Sequence, residues 1–359
     1  MMKRILPIIL VLCLLLCACG GQPEPTPTPT AQPSEAPSAE PTPTAQPTPT
    51  PEPTPTPVAY RNPLNGQAMD APYEGRVFAV TINNVPQAFP HHGVGQADVL
   101  FEMFINDYCT RGLALYTDVS EMESIGSIRS TRYNFTDLAL AYNLIVVHAN
   151  ASKAVLTDMY NEGVDNLNAD SSIGYRDSYR YNTQGYAWEH TLFAKGESLV
   201  QAAKDKGFEL QVADKDYGMN FVDDGTPANG ESAEEIEIVF TLYGHTKGTT
   251  MKYDAESGKY IYWQYGKEMI DENSGEPEGF ENVIVIRTDV KNDGVYHVAN
   301  MYGSGDGYYA CNGQIVPIKW THENETDPFT FTLTDGTPLY QGVGSTYVAV
   351  VPSDSPVNY

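Results

Sequence analysis

Apolar positions between residues 58 and 220 follow two rhythms. Short, nearly continuous apolar runs at 76–82 (RVFAVTI), 99–105, 113–116 and 144–147 predict buried strands. Apolar residues three and four apart in 135–142 (FTDLALAY), 153–162 (KAVLTDMYNE) and 197–206 (ESLVQAAKDK) predict helices, with Gly163 and Gly207 as stops. Strands alternating with helices predict an α/β domain over 58–225. From about residue 232 the helical spacing disappears. Strand-like runs at 236–242, 259–264, 283–287, 314–320, 330–333 and 347–351 are separated by turn clusters such as 254–258 (DAESG) and 273–277 (NSGEP). That spacing predicts a mostly antiparallel, β-rich C-terminal domain over 226–359.

The first 57 residues fit neither rhythm. Lys3 and Arg4 precede an apolar run that ends in Leu16-Cys17-Ala18-Cys19. The run is too short for a comfortable membrane span and has the layout of a secretory signal. Its end resembles a bacterial lipobox, which implies cleavage after residue 18 and diacylation of Cys19. An ordinary secretory signal with incidental cysteines is the plainer alternative. Two acyl chains suffice for stable anchoring. Residues 22–57 hold fourteen of the 26 prolines, with Thr, Ala, Gln and Glu between them and no large apolar side chain. Such a segment does not bury enough surface to fold, so 19–57 is expected to be a disordered Pro/Thr-rich stalk. In the extended polyproline form it reaches on the order of 100 Å.

Charge narrows the function classes. The chain has 21 Lys+Arg against 46 Asp+Glu, a formal net charge of −25. Broad neutralisation of nucleic-acid phosphates is excluded on that balance. Neither a HExxH, CxxC or EF-hand spacing nor a P-loop is present, and adjacent His91 and His92 point opposite ways in extended chain. No metal and no cofactor is expected. Cys109 and Cys311 are the cysteines beyond the leader and Cys19. A disulfide between them is open, with free thiols expected.

An ordered series of short motifs runs through the globular part. It includes Asn62-Pro63-Leu64-Asn65-Gly66, Gln96-Ala97-Asp98, Thr110-Arg111, Ile125-Gly126-Ser127-Ile128-Arg129-Ser130-Thr131-Arg132, His148-Ala149, Gly303-Ser304-Gly305 and Asn312-Gly313. This series resembles the YerB-like lipoproteins of Gram-positive bacteria, built from a paired N- and C-terminal domain of unknown function. Cys109 departs from the small residue expected before Thr-Arg. The resemblance implies a lipid-anchored α/β plus β architecture on the outer face of the cytoplasmic membrane. It implies no established activity.

Several residues carry candidate chemistry. Ser130 and Thr131 precede a helical run, and a helix start beside guanidinium groups is an anion site. Arg129 and Arg132, three apart, share a face if the turn is helical. Capped helix and surface ion pairs are the bland alternative. Glu102 alternates with Leu100 and Phe104 in an apolar strand, so it needs a partner, for which Arg111, Arg129 and Arg132 are the candidates. His148 follows a strand, where α/β sheets place ligands. Arg176, Arg180 and His190 lie in a Tyr-rich stretch suited to a sugar or phosphate, or to a solvated loop. The favoured expectation is binding of an anionic or sugar-containing envelope component, or of a partner protein, in an Arg-rich cleft. The rivals are a cell-wall hydrolase or transferase using Glu102 and His148, and a scaffold docking through Tyr253, Tyr260, Tyr262 and Tyr265.

Overall fold

A computed structural model describes residues 60–294 and 296–359. The leader, Cys19 and the stalk lie outside the described residues, and so do the expectations that rest on them. The α/β half comprises β1 (Phe78–Asn84), β2 (Val99–Asn106), β3 (Cys109–Tyr116), α1 (Tyr133–Tyr142), β4 (Ile145–His148), α2 (Lys153–Asn161), β5 (Asn166–Asn168), α3 (Ser178–Asn182), β6 (Leu192–Ala194) and α4 (Gly196–Asp205). The C-terminal half holds β7 (Glu235–Leu242), β8 (His245–Asp254), β9 (Lys259–Gln264), β10 (Asn282–Thr288), β11 (Gly303–Cys311), β12 (Gln314–His322), β13 (Thr330–Leu333) and β14 (Thr346–Pro352). An α/β half followed by a β-rich half is what the apolar rhythms predict.

Two long strands escape that prediction. In β8 the inward positions are Lys247, Thr249 and Met251, so a polar interior hides the alternation. In β11 the sequence GSGDG has the composition of a loop. Its Gly307 is there because a Cβ would stand 2.1 Å from the Val285 carbonyl oxygen.

One mixed sheet takes strands from both halves, in the order β12–β11–β10–β14–β2–β3–β1–β4–β5, with short Glu231–Ser232 and β13 both pairing with β12. The junction is β14, which lies parallel between β10 and β2, from Thr346 beside Val99 to Val350 beside Met103. The described residues accordingly form one compact unit. Helices α1 and α2 cover one face of this sheet through Phe135, Leu138, Tyr142, Val155 and Met159. The other face carries Val80, Ile82, Leu100 and Phe104 and packs against α4 and a second sheet that contains β7, β8 and β9.

Glu102 stands in the middle of that second interface, fully buried. The expectation that an arginine partners it is corrected here: its ion-pair partner is Lys247 of β8, equally sealed from water. Strand alternation explains why, because Glu102 lies opposite Gly112 while Arg111 lies opposite Met103, on the other face of the sheet. Six further side chains donate to the carboxylate. They are Asn84 at 3.0 Å, Thr110 at 2.5 Å, Thr249 at 3.1 Å, Tyr262 at 2.9 Å, Gln264 at 3.2 Å and Tyr347 at 2.7 Å. Burial opposes the charge on Glu102, but the Lys247 ammonium and the donated hydrogen bonds outweigh it and hold the carboxyl below its ordinary range. Burial likewise pulls Lys247 below the ordinary lysine range, against Glu102.

A depressed carboxyl adds stability above its unfolded pKa, and that stability is lost as pH falls through the folded value. Glu102→Gln leaves Lys247 buried without its counter-charge, a change worth about 3–5 kcal/mol in comparable buried pairs. Urea denaturation at neutral pH is expected to show a loss of that size. The gap between wild type and variant is expected to narrow as pH falls below the ordinary carboxyl range and through the depressed folded value, where the wild-type carboxyl gains its proton. A variant with unchanged stability at neutral pH contradicts the network's role.

Candidate functional site

The segment 125–132 is built differently from the helical turn that its spacing suggests. Ile128 bridges to Ile82, and the Arg129 N–H donates to the Thr81 carbonyl at 2.9 Å. The Ala149 N–H in turn donates to the Arg129 carbonyl at 2.9 Å, and the Thr131 N–H to Asn150 at 3.1 Å. An extended strip is thus wedged between the carboxyl ends of the parallel strands β1 and β4. Gly126 permits this route: its φ is +146°, and a Cβ there would press on Phe193 and on the Leu192 carbonyl oxygen at 2.8 and 2.9 Å.

The helix begins only after the strip. Its N-cap is Arg132, in extended conformation and with no side-chain cap, and the first turn of α1 holds no acidic residue. Ser130 does not cap; its hydroxyl donates to the Ala149 carbonyl at 3.0 Å. The shared helical face expected for Arg129 and Arg132 is therefore absent, and they are gathered instead around Arg111 of β3. Arg111 donates to the Ser130 carbonyl at 2.5 Å, and Arg132 to the Ser130 and Thr131 carbonyls at 3.3 and 2.7 Å. Arg132 also lies 4.3 Å from the centre of the Tyr296 ring, which the C-terminal half supplies. Burial first, then Arg132 and Arg129, drag the Arg111 guanidinium well below its ordinary range. Arginine keeps its proton in proteins, so what results is a destabilised cation.

No carboxylate answers these charges. Among the described residues Arg61, Arg76, Arg176 and Arg180 each reach an aspartate within 4 Å, whereas Arg111, Arg129 and Arg132 reach none. The eighth arginine, Arg287, stands elsewhere, on Ser355 and Tyr308. His190 borders the group: its Nδ1 accepts from the Asn83 amide at 2.8 Å, and burial together with Arg129 holds the imidazole below its ordinary range. Cys109 borders it too, its thiol pushed up by burial against the pull of the arginines. Cys109 and Cys311 are both free.

The remaining candidates stand apart from the arginine group. Glu102 faces Lys247 across the sheet. His148 bonds Asn166 at 3.1 Å, and burial lowers its pKa. With Ser130 turned to Ala149 and His148 to Asn166, no nucleophile–base pair is assembled between them. Arg176 is held by Asp170 at 2.6 Å and by the Trp188 carbonyl at 2.7 Å. Arg180 staples the Ala88 and Pro90 carbonyls at 3.2 and 2.8 Å. His91 and His92 do diverge. Burial opposes charge on His91, but the sealed Glu278 carboxylate 3.0 Å away outweighs it and raises the pKa. Burial and Arg180 push His92 down to about 4. No cluster of three or more metal-ligating side chains occurs among the described residues. Asn83 and Tyr296 were not legible as site residues, since one ends a strand and the other arrives from the far half.

An arginine that answers no carboxylate is expendable for folding. Arg129→Gln is expected to shift the unfolding free energy by less than about 0.5 kcal/mol, the ordinary range for surface changes. Arg180→Gln, which strips two buried carbonyls of their donor, is expected to cost about 1–3 kcal/mol. Thermal and urea melts of the two variants check the contrast.

Three comparisons place this architecture. The family described as "Protein of unknown function (DUF3048)" matches with its N-terminal domain over residues 64–209 and its C-terminal domain over 238–348. The protein named "Putative lipoprotein YerB" from Bacillus subtilis (strain 168) is 24% identical over 286 residues, spanning 78% of this chain and 82% of that protein. The crystal structure of YerB protein from Bacillus subtilis superposes with a TM-score of 0.71 at 21% identity, covering 83% of this chain and 99% of the other. With both domains of the family in order, and the fold shared with YerB, the chain belongs to the DUF3048 family of YerB-like proteins.

Proposed function

We propose that this protein is a lipid-anchored, extracytoplasmic binding protein that captures an anionic ligand through Arg111, Arg129 and Arg132. One observation carries the proposal. In a chain of net charge −25, three guanidinium groups converge, and among the described residues no ion pair joins any of them to a carboxylate. With 46 acidic side chains available, neutralising this group internally would be easy. A bound anion relieves the mutual repulsion and accepts charge-assisted hydrogen bonds. The uncapped start of α1 adds N–H groups and a favourable dipole beside Arg132.

The anchoring part of the proposal rests on the lipobox-like run ending at Cys19 and on the lipoprotein name borne by the Bacillus relative. Among the described residues no helix is long and apolar enough to cross a membrane. The proposed setting is the outer face of a Gram-positive cytoplasmic membrane, with the stalk as spacer. A hydrolase using Glu102 gains no support, since a carboxylate with no exposed surface and seven donors does not meet a polymer.

Two experiments test the proposal. Calorimetric titration with inorganic phosphate and with sulfate is expected to give saturable binding. Loss of one arginine from the three is expected to weaken it about 10- to 150-fold, the equivalent of one charge-assisted contact. Absent binding, or affinity unchanged in Arg129→Gln, overturns the anion site. For the anchor, Cys19→Ala is expected to release the protein from the membrane fraction or to leave its precursor unprocessed. Normal processing and retention of that variant contradict lipidation at Cys19.

A further inference from the structure

Singly exposed aromatic rings are ordinary, but four of them fall close together along one stretch of this chain. Tyr175, Tyr179, Tyr181 and Trp188 all fall within fourteen residues and are all exposed. Trp188 is 53% exposed and Tyr179 62%. The indole is nevertheless fixed. Arg176 stacks over it at 4.7 Å and binds its carbonyl at 2.7 Å, while Tyr181 meets it edge-on at 5.3 Å. Arg176 is itself tied to Asp170. A half-open indole held by Arg176 and Tyr181 is a stacking platform whose ordering cost is already met in the free protein.

The platform adjoins the arginine group. Trp188–His190 form a short 3-10 turn that leads into β6, which runs antiparallel beside 125–126 with Phe193 opposite Gly126, and the Ile128 N–H donates to the Leu192 carbonyl at 2.7 Å. His190, two residues beyond Trp188, touches Asn83 and feels the charge of Arg129. The turn that carries Trp188 is therefore joined, through His190, to the edge of the arginine group.

We infer that the ligand is a phosphorylated sugar, or a glycan carrying such a unit, whose phosphate sits at Arg111, Arg129 and Arg132 and whose ring stacks on Trp188. This rests on the anion-binding function proposed above and names its ligand class. Pyranose rings present an apolar face of C–H groups that matches an indole, and hydroxyls that match tyrosine OH groups and a guanidinium rim. A nucleic acid also combines phosphate with a stacking ring, but the net charge of −25 opposes it.

The test is a three-probe titration on the full-length chain in detergent, read by calorimetry and by tryptophan fluorescence. The probes are inorganic phosphate, a set of hexose and N-acetylhexosamine 1-phosphates, and the corresponding free sugars. At least one sugar phosphate is expected to bind about three- to tenfold more tightly than inorganic phosphate, the increment of one aromatic contact. Trp188→Ala is expected to erase that increment and leave phosphate affinity unchanged, while Trp188→Phe retains part of it. Melting curves verify that both variants fold. Equal affinity for phosphate and all sugar phosphates, or an increment that survives Trp188→Ala, overturns the sugar assignment and leaves the anion site standing. Failure of every anion to bind overturns both.

Discussion

A carboxylate sealed from water must be surrounded by donors, and satisfying Glu102 organises much of this molecule. Its seven partners come from the α/β half and from the C-terminal half: Asn84 and Thr110 on one side, Lys247, Thr249, Tyr262, Gln264 and Tyr347 on the other. A register slip by one residue in β2, β8, β9 or β14 would turn a partner to the wrong face and leave an ion in apolar surroundings. The network therefore specifies how the second sheet sits on the first. Parallel pairing of β14 with β2 joins the halves through the backbone, and Glu102 joins them through side chains.

The same geometry explains why the arginines remain uncompensated. Glu102 is the acidic residue nearest to Arg111 along the strand pair, yet it is committed to Lys247 on the opposite face of the sheet. Asp107, beyond the end of β2, is engaged by His297 at 2.9 Å. Arg111 is thus buried beside two like charges, and backbone carbonyls, Cys109 and Tyr296 soften the repulsion. Arg61, Arg76, Arg176 and Arg180 each have an aspartate, while Arg287 is held by the Ser355 carbonyl and the Tyr308 hydroxyl. A charge imbalance so local, in a chain so acidic overall, is the observation on which the proposed anion site rests.

The sequence rhythms reveal the elements better than their assembly. Strands with apolar interiors, such as 99–105 and 347–351, announce themselves. The strand that supplies Lys247 does not, because its buried positions are polar for the sake of Glu102. Glu102 was recognisable as a carboxylate in need of a partner, but periodicity carries no information on which of two faces a distant cation approaches. The motif 125–132 stands out in the sequence as chemically dense, but it forms an extended strip rather than a capped turn. The hydrogen bonds that hold it extended come from residues 81, 149 and 150, remote in sequence. Tyr296 became meaningful only when the chain brought its ring onto Arg132.

The central claim, that Arg111, Arg129 and Arg132 await an anion, is tested most directly by anomalous diffraction. Crystals soaked in sodium selenate, a tetrahedral dianion with a strong anomalous edge, are expected to show a selenium peak within hydrogen-bonding reach of at least two of the three guanidinium groups. Selenate found only at other positions, or a carboxylate of the chain itself filling the space between the arginines, would contradict the account.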